Sequence, residues 1–132
     1  DSNALLPEWI AYHYTVLPLR RLIVAVDPQS HMDPRPILDA YRSIGMNITV
    51  WANQSAYWKD GLQGPHEKLN FAVPDKTESN YHHLVHSRHR HRQKVFVGAC
   101  LQTLKDEGRR WTIHLDVDEY LAFHYHDKNE GP

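Results

Sequence analysis

Three carboxylates fall within four residues at Asp116-Val117-Asp118-Glu119, directly after the apolar run Trp111-Thr112-Ile113-His114-Leu115. Carboxylates this close repel one another in a low-dielectric site unless a cation joins them. One or two carboxylates together with substrate phosphates is the usual way a protein holds Mg²⁺ or Mn²⁺. On a regular strand, positions i and i+2 share a face, so Asp116 and Asp118 would both point to one side. At the carboxyl end of a buried parallel strand, that side opens on the crevice where α/β sheets bind ligands. The competing reading is an acidic turn in which one Asp caps the next element.

Two more residues carry binding chemistry. Asp27 ends the apolar run Leu22-Ile23-Val24-Ala25-Val26 and stands before Pro28. It is either a ligand-facing carboxylate at the crevice mouth or the acceptor of a helix cap or Asx-turn. Arg92 is a candidate for a diphosphate or nucleotide, because a guanidinium matches phosphate geometry. Its alternative is a solvated helix-surface position. His82, His83, His86, His89 and His91 crowd one stretch, with Arg88, Arg90 and Arg92 interleaved. On a helix, His82, His86 and His89 share a face, which raises a zinc reading. No HExxH string or Cys pair supports it, and the arginines oppose a metal. The milder readings are a basic rim or a solvated helix start. Cys100 lies in the apolar stretch Val95–Leu104 and reads as a buried, inert thiol.

Elements to position these groups can be read from the pattern. Leu5–Val16 reads as a helix, with Asn3 as its cap and Leu6, Ile10 and Tyr14 at helical spacing. Leu22–Val26 is nearly all apolar and β-branched, the pattern of a strand buried on both faces. Asp33-Pro34 opens a helix that runs to about Ile44 and stops at Gly45. Asn47–Trp51 is a second strand. Asn53–Asn80 is polar and carries Gly61, Gly64, Pro65 and Pro74, a long loop within the domain. Ser87–Glu107 is an amphipathic helix with Val95, Phe96, Ala99, Cys100 and Leu104 on one stripe. Trp111–Leu115 is the third strand, and Tyr120–His126 a further short one. Helices alternating with strands predict an α/β fold with a mostly parallel sheet.

At 132 residues the chain is one domain or less, and its net charge of -1 gives no case for nucleic acid. The apolar runs are too short to span a bilayer. A single Cys excludes an internal disulfide. The first residues lack an initiator Met and a preceding strand. The expectation is therefore a fragment, residues 1–132, truncated at both ends.

Leu6-Pro7-Glu8-Trp9-Ile10-Ala11-Tyr12-His13 resembles the "EW…YH" helix of family 92 glycosyltransferases and their family 2-like relatives. Leu22–Ser30 resembles the strand that follows it. His91-Arg92-Gln93, with Phe96 and Cys100, resembles the helix before the metal motif. Asp116-Val117-Asp118-Glu119-Tyr120 resembles the DxD motif. The resemblance covers most of the chain outside Asn53–Asn80. It implies a GT-A (Rossmann-like) fold that transfers a sugar from a nucleotide-sugar donor, a UDP-sugar, to a glycan or glycoprotein acceptor. Mn²⁺ or Mg²⁺ would be the cofactor. Asp118 would be the main metal ligand, while Asp116 would face the ribose or reach the metal through water. Asp27 would accept a hydrogen bond from the base, and Arg92 would bind the diphosphate. Glu119 would support the metal site, and Glu8 and His13 would hold loops. The general base is expected beyond Pro132, so this half alone would be inactive. The resemblance places the enzyme in Golgi or secretory membranes with its catalytic domain lumenal, anchored by a segment outside this chain. Pro28 stands where many family 2-like enzymes carry a second acidic residue, so the ribose contact the resemblance implies there is not carried over to this chain. Beside this reading stand a metal-dependent nucleotidyltransferase, a non-catalytic nucleotide-sugar-binding or interaction domain, and, last, a zinc module.

Overall fold

The structure, a computed structural model, describes residues 2–53 and 74–123. The chain opens with a 3-10 turn, Ser2–Leu5, and helix α1, Leu6–Val16. Pro7 suits the first turn of α1, where a missing N–H costs nothing. Asn3 does not cap the helix as expected. Its side-chain amide donates instead to Ser30 Oγ and the Met32 carbonyl, both at 2.7 Å, and ties the N-terminus to the loop after the first strand.

Strand β1, Arg21–Ala25, helix α2, Arg35–Ser43, and strand β2, Asn47–Trp51, form a parallel β-α-β unit. The register pairs Arg21 with Asn47 and Ala25 with Trp51. Val26 N–H adds one more bond, to the Trp51 carbonyl at 3.0 Å. Before α2, Asp33 accepts the Arg35 N–H at 3.0 Å. Gly45, at φ 99, turns the chain back towards the sheet, a conformation glycine adopts without Cβ strain. Helix α3, Tyr81–Asp106, starts earlier than its apolar stripe alone suggested, so the whole histidine cluster is helical.

Strand alternation sorts the side chains into two layers. Leu22 and Val24 of β1, with Ile48 and Val50 of β2, pack on α1 and α2 around Leu6, Trp9, Ile10, Leu38 and Met46. Ala25 and Trp51 turn to the other face and meet Val95, Phe96 and Ala99 of α3. Trp51 and Phe96 meet edge to face, with centroids 5.7 Å apart. Arg21 reaches across to Glu107 with two bonds, 2.8 and 2.6 Å, and links the start of β1 to the end of α3. The described fold is thus a small α/β unit with three α-helices around a two-stranded parallel sheet.

Trp111–Leu115 corrects the expectation of a third strand. It makes no ladder bonds, and Trp111 and Ile113 are 92% and 56% exposed. A β pattern becomes a strand only when a neighbour supplies the ladder, and here β-propensity acts without one. Residues 120–123 form no strand either. The remainder of that expected strand, and 54–73 of the expected loop, lie outside the described residues.

Candidate functional site

Beside β1, on the side with no strand partner among the described residues, a cavity of about 1060 Å³ lies between α1, α3 and the segment 109–117. Its body is apolar, lined by Leu22, Val24, Phe96, Leu104 and Ile113 among others. Its polar groups include Asp27, His89, Arg92 and Asp116. A mostly apolar cavity with a few convergent polar groups is the usual form of a ligand site.

Asp27 sits just past the carboxyl end of β1, where the ladder stops and the chain turns. Its Oδ1 accepts the Gln29 N–H at 2.8 Å, which is the Asx-turn geometry. The same carboxylate binds α3. Arg92 Nη2 donates to both oxygens, at 3.1 and 3.4 Å, and His89 Nδ1 lies 3.0 Å from Oδ2. His89 and Arg92 are three apart on the helix, so both reach one carboxylate from one face. Burial pushes the Asp27 carboxyl upward. The Gln29 N–H, the Arg92 charge and the bonds from Arg92 and His89 outweigh it and hold the group below the ordinary carboxylate range.

The Arg92 side chain is only 5% exposed, against 33% for Asp27. Its Nε–H is buried and has no partner among the described residues. An orphan buried donor is uncommon and costly. The two expectations for Asp27 therefore coexist: it makes the local turn and also faces the cavity. Arg92 is not a solvated surface position.

Asp116, Asp118 and Glu119 are all exposed. They form a closed turn rather than a strand end. Glu119 N–H bonds the Asp116 carbonyl at 3.0 Å, and the Glu119 carboxylate accepts the Asp116 N–H at 2.9 Å. The turn is anchored by Leu115 and Val117, which pack on the α1–α2 core. Strand alternation therefore does not align Asp116 and Asp118. Asp116 lines the cavity and Asp118 does not. Two of the carboxylates, Asp116 and Asp118, are exposed, while the third, Glu119, accepts the Asp116 N–H. Among the described residues no three His, Cys, Asp or Glu side chains are placed to share one metal ion. In the histidine cluster, His82, His83 and His86 are exposed, while His89 is engaged by Asp27.

His89 is a site residue that sequence reading placed only in the cluster. The signal that would have found it is its three-residue spacing from Arg92, which puts both on one helix face. Trp9, Tyr12 and Tyr120 carry the resemblance but no role in it; here Trp9 bonds the Glu119 carbonyl, Tyr12 the Leu121 carbonyl, and Tyr120 stacks on His13. Glu8 is exposed, whereas His13 is buried and does meet a loop, at Leu121. Cys100 is half-buried beside the cavity, and burial raises its thiol above the ordinary value.

No family model, curated protein or solved structure matches the chain. No helix among the described residues is long and apolar enough to cross a membrane.

Proposed function

We propose that the chain is the nucleotide-sugar-binding half of a metal-assisted glycosyltransferase of GT-A type, using a UDP-sugar donor and a glycan or glycoprotein acceptor. The observation that carries this reading is the gathering of Asp27, Arg92 and Asp116 around one cavity beside parallel strand β1. Open α/β sheets bind nucleotides beyond the carboxyl ends of their strands, and Asp27 stands just past that end.

In this reading Asp27, kept ionised, orients the nucleoside by accepting a hydrogen bond. Arg92, held by Asp27, would present its guanidinium to the donor diphosphate. Sugar transfer breaks the bond between the anomeric carbon and a diphosphate, so negative charge grows on the leaving group. Fixed donors that meet this charge lower the barrier because they need no reorganisation. Asp116 and Asp118 would hold Mn²⁺ or Mg²⁺, which when bound supplies Lewis-acid stabilisation of the diphosphate. The expected setting is a Golgi or secretory membrane.

A second reading is a nucleotide-sugar-binding domain without catalysis. It is favoured by two features: Asp118 does not line the cavity, and Glu119 is engaged in closing its own turn. Calorimetric titration of UDP-sugars with Mn²⁺ or with EDTA, on this chain and on Asp118→Asn, separates the two. Binding that needs Mn²⁺ and is lost in the variant supports the transferase. Binding that ignores both supports the second reading, and a folded chain that binds nothing overturns both.

A further inference from the structure

One face of α1 grips the backbone just beyond the acidic turn. Trp9 Nε1–H donates to the Glu119 carbonyl at 2.8 Å, and the Tyr12 hydroxyl donates to the Leu121 carbonyl at 2.9 Å. Between them, Leu121 N–H points at His13 Nε2, at a long 3.5 Å. His13 is 1% exposed. Its ring is enclosed by Trp9 at 4.2 Å, by the edge of Tyr12 at 5.1 Å, and by Tyr120 stacked at 5.7 Å with 17° between planes.

The tautomer follows from the neighbours. His13 Nδ1 lies 2.8 Å from the Trp9 carbonyl, which can only accept, so Nδ1 carries the hydrogen. Nε2 is then the bare acceptor that Leu121 N–H requires. One neutral form of the ring satisfies both contacts.

We infer that Trp9, Tyr12 and His13 are a positioning clasp for the acidic turn, setting where the Asp116 and Asp118 carboxylates point. The inference rests on the reading of those carboxylates as the cation site. The turn is exposed, and two of its neighbouring carboxylates repel each other, so its own two internal bonds are a weak constraint. The clasp adds three contacts directly after it, from a helix whose Trp9 and Ile10 are buried in the core. Losing a residue that orients metal ligands from behind typically costs about 10–100-fold in metal affinity.

The test uses the chain with Tyr12→Phe, His13→Leu and His13→Gln. Phenylalanine keeps the ring contacts with His13 and Tyr120 and removes only the hydroxyl. Glutamine offers an oxygen near the Nε2 position, whereas leucine offers none. Two quantities are read: exchange of the Leu121 amide by NMR, and Mn²⁺ affinity in the presence of UDP. Tyr12→Phe and His13→Leu should speed Leu121 exchange while the β1 amides keep their protection, and should weaken Mn²⁺ by about tenfold. His13→Gln should recover much of both, a rescue that simple filling of space by the ring does not predict. Unchanged Leu121 exchange in both damaging variants overturns the clasp. Faster exchange with unchanged Mn²⁺ affinity overturns its positioning role. If the unsubstituted chain binds no Mn²⁺, the cation site itself falls, and Leu121 exchange alone then decides whether the clasp exists.

Discussion

Asp27→Asn is the sharpest perturbation of the site, because it removes one charge and almost no volume. Asn keeps an oxygen for the Gln29 N–H, so the local turn survives. Arg92 does not fare as well. Its side chain is 5% exposed, and among the described residues its hydrogen bonds all go to Asp27, at 3.1 and 3.4 Å. Breaking a fully buried ion pair from one side costs about 3–5 kcal/mol, because the remaining charge is stranded. Asp27 itself is 33% exposed, so water recovers part of that loss. The expected cost is about 2–3 kcal/mol, which for a typical urea m-value moves the midpoint down by about 1–2 M. The control is Arg92→Leu combined with Asp27→Asn. Removing both charges leaves no stranded guanidinium, so the double variant should be more stable than Asp27→Asn alone. Urea unfolding followed by far-UV circular dichroism measures the unsubstituted chain, Asp27→Asn, Arg92→Leu and the double variant. A loss under about 0.5 kcal/mol for Asp27→Asn, or strict additivity in the cycle, would refute the stranded-charge argument. The pH dependence has a definite sign. The folded carboxyl is lowered, so its stabilisation is present in full above the unfolded value of about 3.9 and disappears as pH falls from there through the folded value. Asp27→Asn should remove the part of the acid-side slope that Asp27 contributes.

Leu38 is fully buried between α1, α2 and the sheet, so Leu38→Ala should cost about 2–5 kcal/mol in the same urea assay. Gly45 holds φ 99 with open space where a Cβ would go, so Gly45→Ala should lose on the order of 1 kcal/mol from backbone strain rather than from a clash. The Cys100 thiol is raised by burial, so alkylation by iodoacetamide at pH 8 should run well below the rate of a free thiol and reach it in denaturant. Alkylation at the free-thiol rate in the folded chain would contradict the packing of α3 against β1.

The β-α-β unit was legible because each of its elements is bounded by a residue with a local mechanism. The apolar runs of β1 and β2 are short and rich in β-branched residues, and Gly45 supplies the positive φ that ends the turn after α2. The third strand was not legible as a failure, since Trp111–Leu115 has the composition of a strand and lacks only a ladder partner. Composition cannot report a partner. The site was legible in part. Asp27, Arg92 and Asp116 do line one cavity, but Asp27 and Arg92 bind each other, a contact 65 residues apart that no local pattern encodes. Similarly, the acidic string showed its charge but not its shape, because Glu119 folds back onto the Asp116 N–H.

The α1 contacts with Glu119 and Leu121 also have a consequence for the order of assembly. They join residues 108 to 110 positions apart, whereas the first rung of the parallel ladder joins Arg21 to Asn47. Loop closure of the longer span costs about 1 kcal/mol more entropy than the shorter. The β-α-β unit can therefore form from contacts close in the chain, and residues 119–121 join it late. By the same ranking they are the first to leave. Native-state openings should release the acidic turn while the sheet stays intact, so the turn would cycle between docked and free faster than the scaffold beneath it unfolds.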